Sequence, residues 1–219
     1  MATYLITGGN RGIGLELARQ LSARGDEVAV ACRSSSADLD GLGVEVIDGV
    51  DVASDAGVAR LAEAMNGRSL DVLVNNAGIL TGESLDDLDL DRMRRQFEVN
   101  ALGPLRVTAA LRGCLHPGSK VAIITSRVGS IADNGSGGMY GYRMSKAAVN
   151  MAGANLAIDL REQAVPVALL HPGLVATEMT GRQGVTPAHS AAGLIDRIDE
   201  LTLETTGRFW HAEGEELPW

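Results

Sequence analysis

The chain has 219 residues, 45% of them apolar and 21% charged, an ordinary globular composition long enough to bury a substantial core. Nineteen basic against 28 acidic residues leave a net charge of −9, which argues against a nucleic-acid partner. Short, interrupted apolar runs argue against a membrane span, no basic-then-apolar leader opens the sequence, and Cys32 and Cys114 are too few for a disulfide framework, so a cytoplasmic setting is expected.

In chain order, short β-branched or apolar runs alternate with helical patterns. The strand-like runs are Thr3–Thr7, Val28–Cys32, Val44–Ile47, Val72–Asn75, Val121–Thr125, Val165–Leu170 and Gly207–His211. Between them lie helical spacings such as Ile13, Leu17, Leu21 and Val58, Leu61, Ala62, Met65. Seven strands alternating with helices predict one doubly wound α/β domain over residues 1–219, a parallel sheet covered on both faces.

The first strand runs into TGGNRGIG, Thr7 to Gly14, and a helix follows directly. Gly8, Gly12 and Gly14 allow a strand-to-helix turn, and the helix start offers free N–H groups and a positive dipole end to a pyrophosphate. After the second strand, a binder of NAD usually places an acid against the ribose hydroxyls. Here stand Ala31, Cys32, Arg33 and Ser34, with no carboxylate. Arg33, together with Arg11 in the glycine turn, is suited to a 2′-phosphate, so NADP(H) is expected over NAD(H). Asp51 and Val52, after the third strand, are expected near the adenine, although a plain loop aspartate fits as well.

The fourth strand ends in NNAG, Asn75 to Gly78, and Asn100 lies in FEVNALGP, where Asn, Gly103 and Pro104 conflict with a helix interior. Such conflicts mark functional or strained positions. The fifth strand ends at Thr125-Ser126, and a glycine-rich loop, Gly129–Gly138, leads to YGYRMSKAA. Tyr142 and Lys146 are four apart and share a helix face. An ammonium one turn away is expected to lower the phenol pKa from ~10 and fit Tyr142 for general acid/base work. Tyr140, six residues from Lys146, falls on another face. Ser130 and Ser136 lie in the loop, whereas Ser126 ends the strand. His116 and His171 have no acidic partner at a telling spacing, and no metal-ligand cluster is visible. The sixth strand ends in HPGLVATEM, where Pro172-Gly173 turns across the mouth of the site.

TGxxxGIG, NNAG, the Asn of the fourth-helix region, a Ser after strand five, YxxxK and PGxVxT, in this order, resemble the short-chain dehydrogenase/reductase superfamily and its Rossmann fold. SRVGSI, YGYRMSKAAVNM and GRFW…ELPW resemble its C-factor-like and sniffer-like carbonyl reductase branch. The resemblance implies that Tyr142 protonates a carbonyl oxygen and that Lys146 holds the nicotinamide ribose. It implies that Ser126 orients the carbonyl and that Asn100 holds a water in a relay to Lys146. The cofactor positions it implies are Gly8, Asn10, Arg11, Gly12, Ile13, Gly14, Arg33, Asp51, Val52, Asn76, Ala77, Gly78, Tyr142, Lys146, Pro172, Gly173, Val175 and Thr177.

Two features depart from the family pattern. The gap from Ser126 to Tyr142 is about three residues longer than the commonest spacing, and the segment from Thr177 to Thr186-Pro187 is short, which suggests an open, permissive substrate site. The expected activity is NADP(H)-dependent reduction of ketone or aldehyde carbonyls, reversible as alcohol oxidation. The alternative is a C-factor-like signalling or regulatory protein that binds NAD(P) with little turnover. The helix Met144–Arg161 carries apolar residues on more than one face, so a homodimer is expected. A monomer whose C-terminal tail covers that face is the competing possibility.

Overall fold

A computed structural model describes residues 1–219. Seven strands, β1 (Thr3–Thr7), β2 (Glu27–Ala31), β3 (Glu45–Ile47), β4 (Leu70–Asn75), β5 (Leu115–Ile124), β6 (Val167–His171) and β7 (Phe209–His211), form one sheet. Its order is β3-β2-β1-β4-β5-β6-β7, and every pair is parallel. The order reverses between β1 and β4, and that switch point opens the crevice at the strands' carboxyl ends.

The strands are buried on both faces, which is why they read as apolar runs instead of alternating patterns. On one face α1 (Gly12–Arg24) and α7 (Pro187–Asp199) cover Ile6, Val30, Val74 and Leu170. On the other, α3 (Asp55–Ala64), α5 (Gly103–Ala110) and α6 (Tyr140–Asp159) cover Leu5, Leu73, Val121 and Ile123. Of the periodic residues, Leu17, Leu21, Val58, Leu61 and Met65 are buried and Ile13 and Ala62 are half-buried. A one-turn α2 (Ala37–Asp40) follows β2, capped by Ser36, whose hydroxyl accepts from the Leu39 N–H.

The strands deviate from their expected extents in instructive ways. β5 starts six residues early: Leu115 pairs with Leu70, then Lys120 pairs with Val72, and Pro117-Gly118 bulges out between the two pairs. Cys32 leaves the β2 run but stays buried, its thiol directed to Asp48. The helical stretch around Asn100 is three pieces: α4 (Leu90–Phe97), a π turn over Glu98–Leu102, and α5. Such π turns are frequent at functional sites, in keeping with the local conflict in FEVNALGP.

Candidate active site

The carboxyl ends of β1, β4, β5 and β6 deliver the expected residues to one crevice. Thr7 ends β1 and is tied to NNAG: its hydroxyl accepts from the N–H groups of Asn76 (3.1 Å) and Ala77 (3.2 Å). Asn76 donates back through its amide to the carbonyls of Thr7 and Gly8, both at 3.0 Å. NNAG therefore braces the glycine turn. That turn is packed to contact, since a Cβ on Gly8 would lie 2.8 Å from the Ala77 Cα and one on Gly14 2.5 Å from the Asn76 amide. Asn10 and Ser36 lock its outer side to the loop after β2 through the Ser34 and Asn10 carbonyls.

Beyond the turn, α1 starts at an extended Arg11 with no side-chain cap and no acidic residue in the first turn. Its first N–H groups have no partner within the helix, and they face the crevice with the positive dipole end. A dinucleotide's diphosphate fits this end; residues Gly12, Ile13 and Gly14 would hold it through backbone N–H groups.

The two arginines expected at one corner are not brought together. Arg11 reaches across the crevice to Glu178, 2.8 Å away in the turn after Thr177, and both side chains are exposed. Arg33 stays at the β2 corner, exposed, without an ion-pair partner closer than the influence it exerts on Asp51. Asp51 is bonded by Arg95 at 2.8 Å and by the Ala53 N–H; these outweigh the upward pull of burial and hold its carboxyl below the usual range.

At the other side of the crevice α6 carries Tyr142 and Lys146. Lys146 is 4% exposed, its Nζ donates to the Ile124 carbonyl at 3.0 Å, and it lies 5.7 Å from the Tyr142 ring centre. Burial drives its ammonium down to about 8. One N–H is used on Ile124, so two remain for ribose hydroxyls. The phenol departs from the expectation of a lowered pKa. Burial pushes Tyr142 up to about 12, against a smaller downward effect from the Ser126 hydroxyl. The same desolvation that disfavours the phenolate disfavours the ammonium meant to support it.

Ser126 lies two residues past the end of β5, not in the strand as expected, and caps the short turn Arg127–Gly129, buried beside the phenol; Ser130 and Ser136 are occupied elsewhere, by the Asp133 N–H and by Arg143. Gly129 lets the loop after β5 press against α6, because a Cβ there would lie 2.7 Å from the Lys146 carbonyl carbon. Asn100 makes three bonds: Oδ1 accepts from the Ile79 N–H (2.8 Å), and Nδ2 donates to the Ile79 carbonyl (2.8 Å) and to Ser145 Oγ (3.0 Å). Ser145 donates in turn to the Tyr142 carbonyl at 2.8 Å. The side chain of Asn100 thus fastens α6 to the loop after β4, and only one lone pair of Oδ1 is left for a water.

Pro172, Gly173, Val175 and Thr177 form the facing loop, and Thr177 comes close enough that a Cβ on Gly12 would touch its methyl at 3.4 Å. The segment to α7 is short, as its length predicts: a single turn, Glu178–Thr180, and a bridge between Val175 and Val185. His116 does have an acidic partner, Asp71 at 3.1 Å, but at the amino ends of β4 and β5, far from the crevice; the pairing is invisible in sequence because the two lie 45 positions apart. His171 packs edge-on against His211, and burial holds it neutral, with its pKa down to about 3.

Sequence reading missed Glu83, Gln96 and Ser145. Ser145 stands next to Lys146 and was findable from its neighbour; Glu83 and Gln96 carry no motif at all.

A parallel sheet with a glycine-turn helix at its switch point and a Tyr–Lys pair on α6 defines a dinucleotide-dependent oxidoreductase architecture. The short chain dehydrogenase family model matches residues 2–187, and the chain belongs to that family. It is 48% identical over 226 residues, covering all of both chains, to 1-hydroxy-2-glutathionyl-2-methyl-3-butene dehydrogenase of Rhodococcus sp. (strain AD45). It is also 48% identical over 155 residues to the C-signal of Myxococcus xanthus, across 68% of this chain and 93% of that one. Among solved structures, NADPH-bound carbonyl reductase from chicken fatty liver superposes with a TM-score of 0.90 at 29% identity, covering 100% of this chain and 99% of that one. Carbonyl reductase Sniffer of D. melanogaster gives 0.90 at 27% identity, over all of both chains.

Proposed function

We propose that this protein is an NADP(H)-dependent oxidoreductase that reduces aldehyde or ketone carbonyls and, in reverse, oxidises alcohols. The observation that carries the reading is the meeting of Tyr142, Ser126 and a buried Lys146 at the crevice that also holds the uncapped start of α1. The cofactor follows from two things: the free Arg33 at a β2 corner lacking the usual acid, and the NADPH held by the carbonyl reductase relative.

When bound, the nicotinamide supplies the hydride. The chain's own groups handle the oxygen. Ser126 donates a hydrogen bond to the carbonyl oxygen, and Tyr142 delivers its proton as alkoxide charge develops. A phenol whose pKa stands near 12 keeps its proton at neutral pH, so it is loaded for reduction. Lys146 binds the ribose with its two spare N–H groups and holds it beside the phenol. Asn100 and Ser145 fix the backbone of Tyr142, which keeps the proton aimed.

The Rhodococcus relative is named for a 1-hydroxy substrate bearing a glutathionyl group, so alcohols and aldehydes carrying a glutathionyl substituent belong in the substrate panel. The test is a panel of aldehydes, ketones and their alcohols followed by NADPH absorbance, with NADH in parallel; no turnover above background with any of them overturns the reading. A signalling reading is favoured by the C-signal identity, and NADPH binding without turnover on the panel is its signature.

The whole chain acts as one dinucleotide-binding domain in a cytoplasmic setting, and as a homodimer through α6. Supporting the dimer, Met144, Met151 and Ile158 are 49%, 63% and 71% exposed at seven-residue intervals along one helix face. The tail does not cover them: Trp219 stacks on Phe209 and its carbonyl accepts from the Ala132 N–H. Light scattering that gave the mass of one 22.9 kDa chain overturns the dimer.

A further inference from the structure

α6 has no cap of its own. Its N-cap residue is Met139, at φ 46°, reached through Gly137 and Gly138, which also have positive φ; no side chain of the segment accepts from the first turn, and the turn holds no acid. The missing acceptor comes from the loop after β4, 58 residues away. Glu83, 4% exposed, accepts the Gly141 N–H on Oε2 at 3.2 Å, and its backbone carbonyl accepts the Met139 N–H at 2.9 Å. The carboxylate also receives the Thr81 hydroxyl (2.5 Å) and the amide of Gln96 (3.1 and 3.3 Å). Gln96 is wholly buried and accepts the Thr81 N–H at 3.0 Å through its own oxygen.

We propose that Glu83 is a positioning residue for Tyr142: a buried carboxylate, set by Gln96, that caps the helix carrying the proton donor from outside that helix. Tyr142 then sits between two struts. Glu83 holds the N–H of the residue before it, and Ser145, backed by Asn100, holds its own carbonyl. No cation faces the carboxylate; its charge is matched by three donors and by the positive end of α6. The arrangement also explains the glycine between the two tyrosines. A Cβ at position 141 would lie 2.3 Å from the Gln96 amide nitrogen and 2.9 Å from a Met93 side-chain carbon, so only glycine lets the strut close.

The inference rests on Tyr142 as proton donor and acts through kcat, since a small misplacement of a reacting group costs up to ~10²-fold while binding elsewhere is untouched. The test compares E83Q, E83A and G141A with wild type, using NADPH and the best carbonyl of the panel. A glutamine offers one acceptor oxygen where the carboxylate offers two, so the losses should be graded: roughly 10-fold in kcat for E83Q and up to about 100-fold for E83A and G141A. KM for the carbonyl and Kd for NADPH, read by cofactor fluorescence, should stay within about twofold of wild type. In E83A the Gly141 amide should also lose protection in hydrogen exchange while α6's later turns keep theirs.

Unchanged kcat in E83Q and E83A overturns the proposal. So does a fall in kcat matched by an equal loss of NADPH-binding sites, which marks general misfolding. Should E83A fail to fold, E83Q decides alone. Y142F separates the two readings: if it retains turnover, the donor assignment fails; if it is inactive while E83A turns over normally, only the role of Glu83 fails.

Discussion

α1 and α6 start at the same edge of the sheet, and the chain finishes their N-termini in opposite ways. α1 follows its strand directly, begins at an uncapped Arg11 and has no acid in its first turn. α6 begins uncapped in sequence, but Glu83 fills its first turn from a distant loop. A helix start left open keeps free N–H groups and positive potential for an anion that arrives from solution. A helix start already closed by a buried carboxylate attracts nothing further and gains rigidity instead. The same local device, an orphaned first turn, is thus left open at one side of the crevice and filled by a carboxylate at the other.

The hardest break of this contrast is Tyr142→Phe, which removes the chemistry at the mounted end and leaves the open end intact. Turnover should fall by ~10²–10⁴-fold, the usual worth of a positioned acid, while NADPH fluorescence titration gives an unchanged Kd. Weakened cofactor binding in this variant contradicts the separation of the two ends.

Lys146→Met sharpens it through stability. Folded Lys146 has its pKa lowered from 10.5 to about 8, so between these values the unfolded chain binds the extra proton and stability rises with pH. The burden is full below pH 8 and gone above 10.5. Urea unfolding should therefore show the methionine variant gaining on wild type by about 3 kcal/mol more at pH 7 than at pH 10.5, at 1.36 kcal/mol per pKa unit. A pH-independent difference shows that the lysine is not desolvated.

Arg33→Ala acts at the open end alone. Losing a charge-assisted bond of ~1.5–3 kcal/mol should weaken NADPH roughly 10- to 100-fold and leave NADH nearly unchanged. Equal wild-type affinities for the two cofactors remove the basis for the 2′-phosphate assignment.

The smallest effect is a control that touches neither helix start. His171, at the end of β6, is held neutral with its pKa lowered from 6.5 to about 3. Below pH 6.5 the unfolded chain takes up the proton and the folded one does not, so wild type loses stability on acidification by up to ~1.4 kcal/mol per pH unit. His171→Leu should flatten that slope in denaturant titrations between pH 6.5 and 5. An unchanged slope shows that another group governs acid stability.

Much of this could be read along the chain. Apolar runs alternating with 3.6-residue periodicity fixed seven parallel strands and their covering helices, because burial on both faces leaves a direct imprint on local composition. Tyr142, Lys146 and Ser126 were legible because one helix turn or one strand end sets their position. Even the π turn at Asn100 had a trace, in residues that suit a helix interior badly. Tertiary structure alone decided the rest. It sent Arg11 to Glu178 instead of to Arg33, since an exposed side chain takes whichever partner the fold brings within reach. It raised the phenol pKa where spacing predicted a fall, because desolvation depends on everything packed around a group and not on its neighbour four residues away. And it joined Glu83 to Gly141 across 58 residues, a hydrogen bond whose two ends carry no sequence pattern that refers to each other.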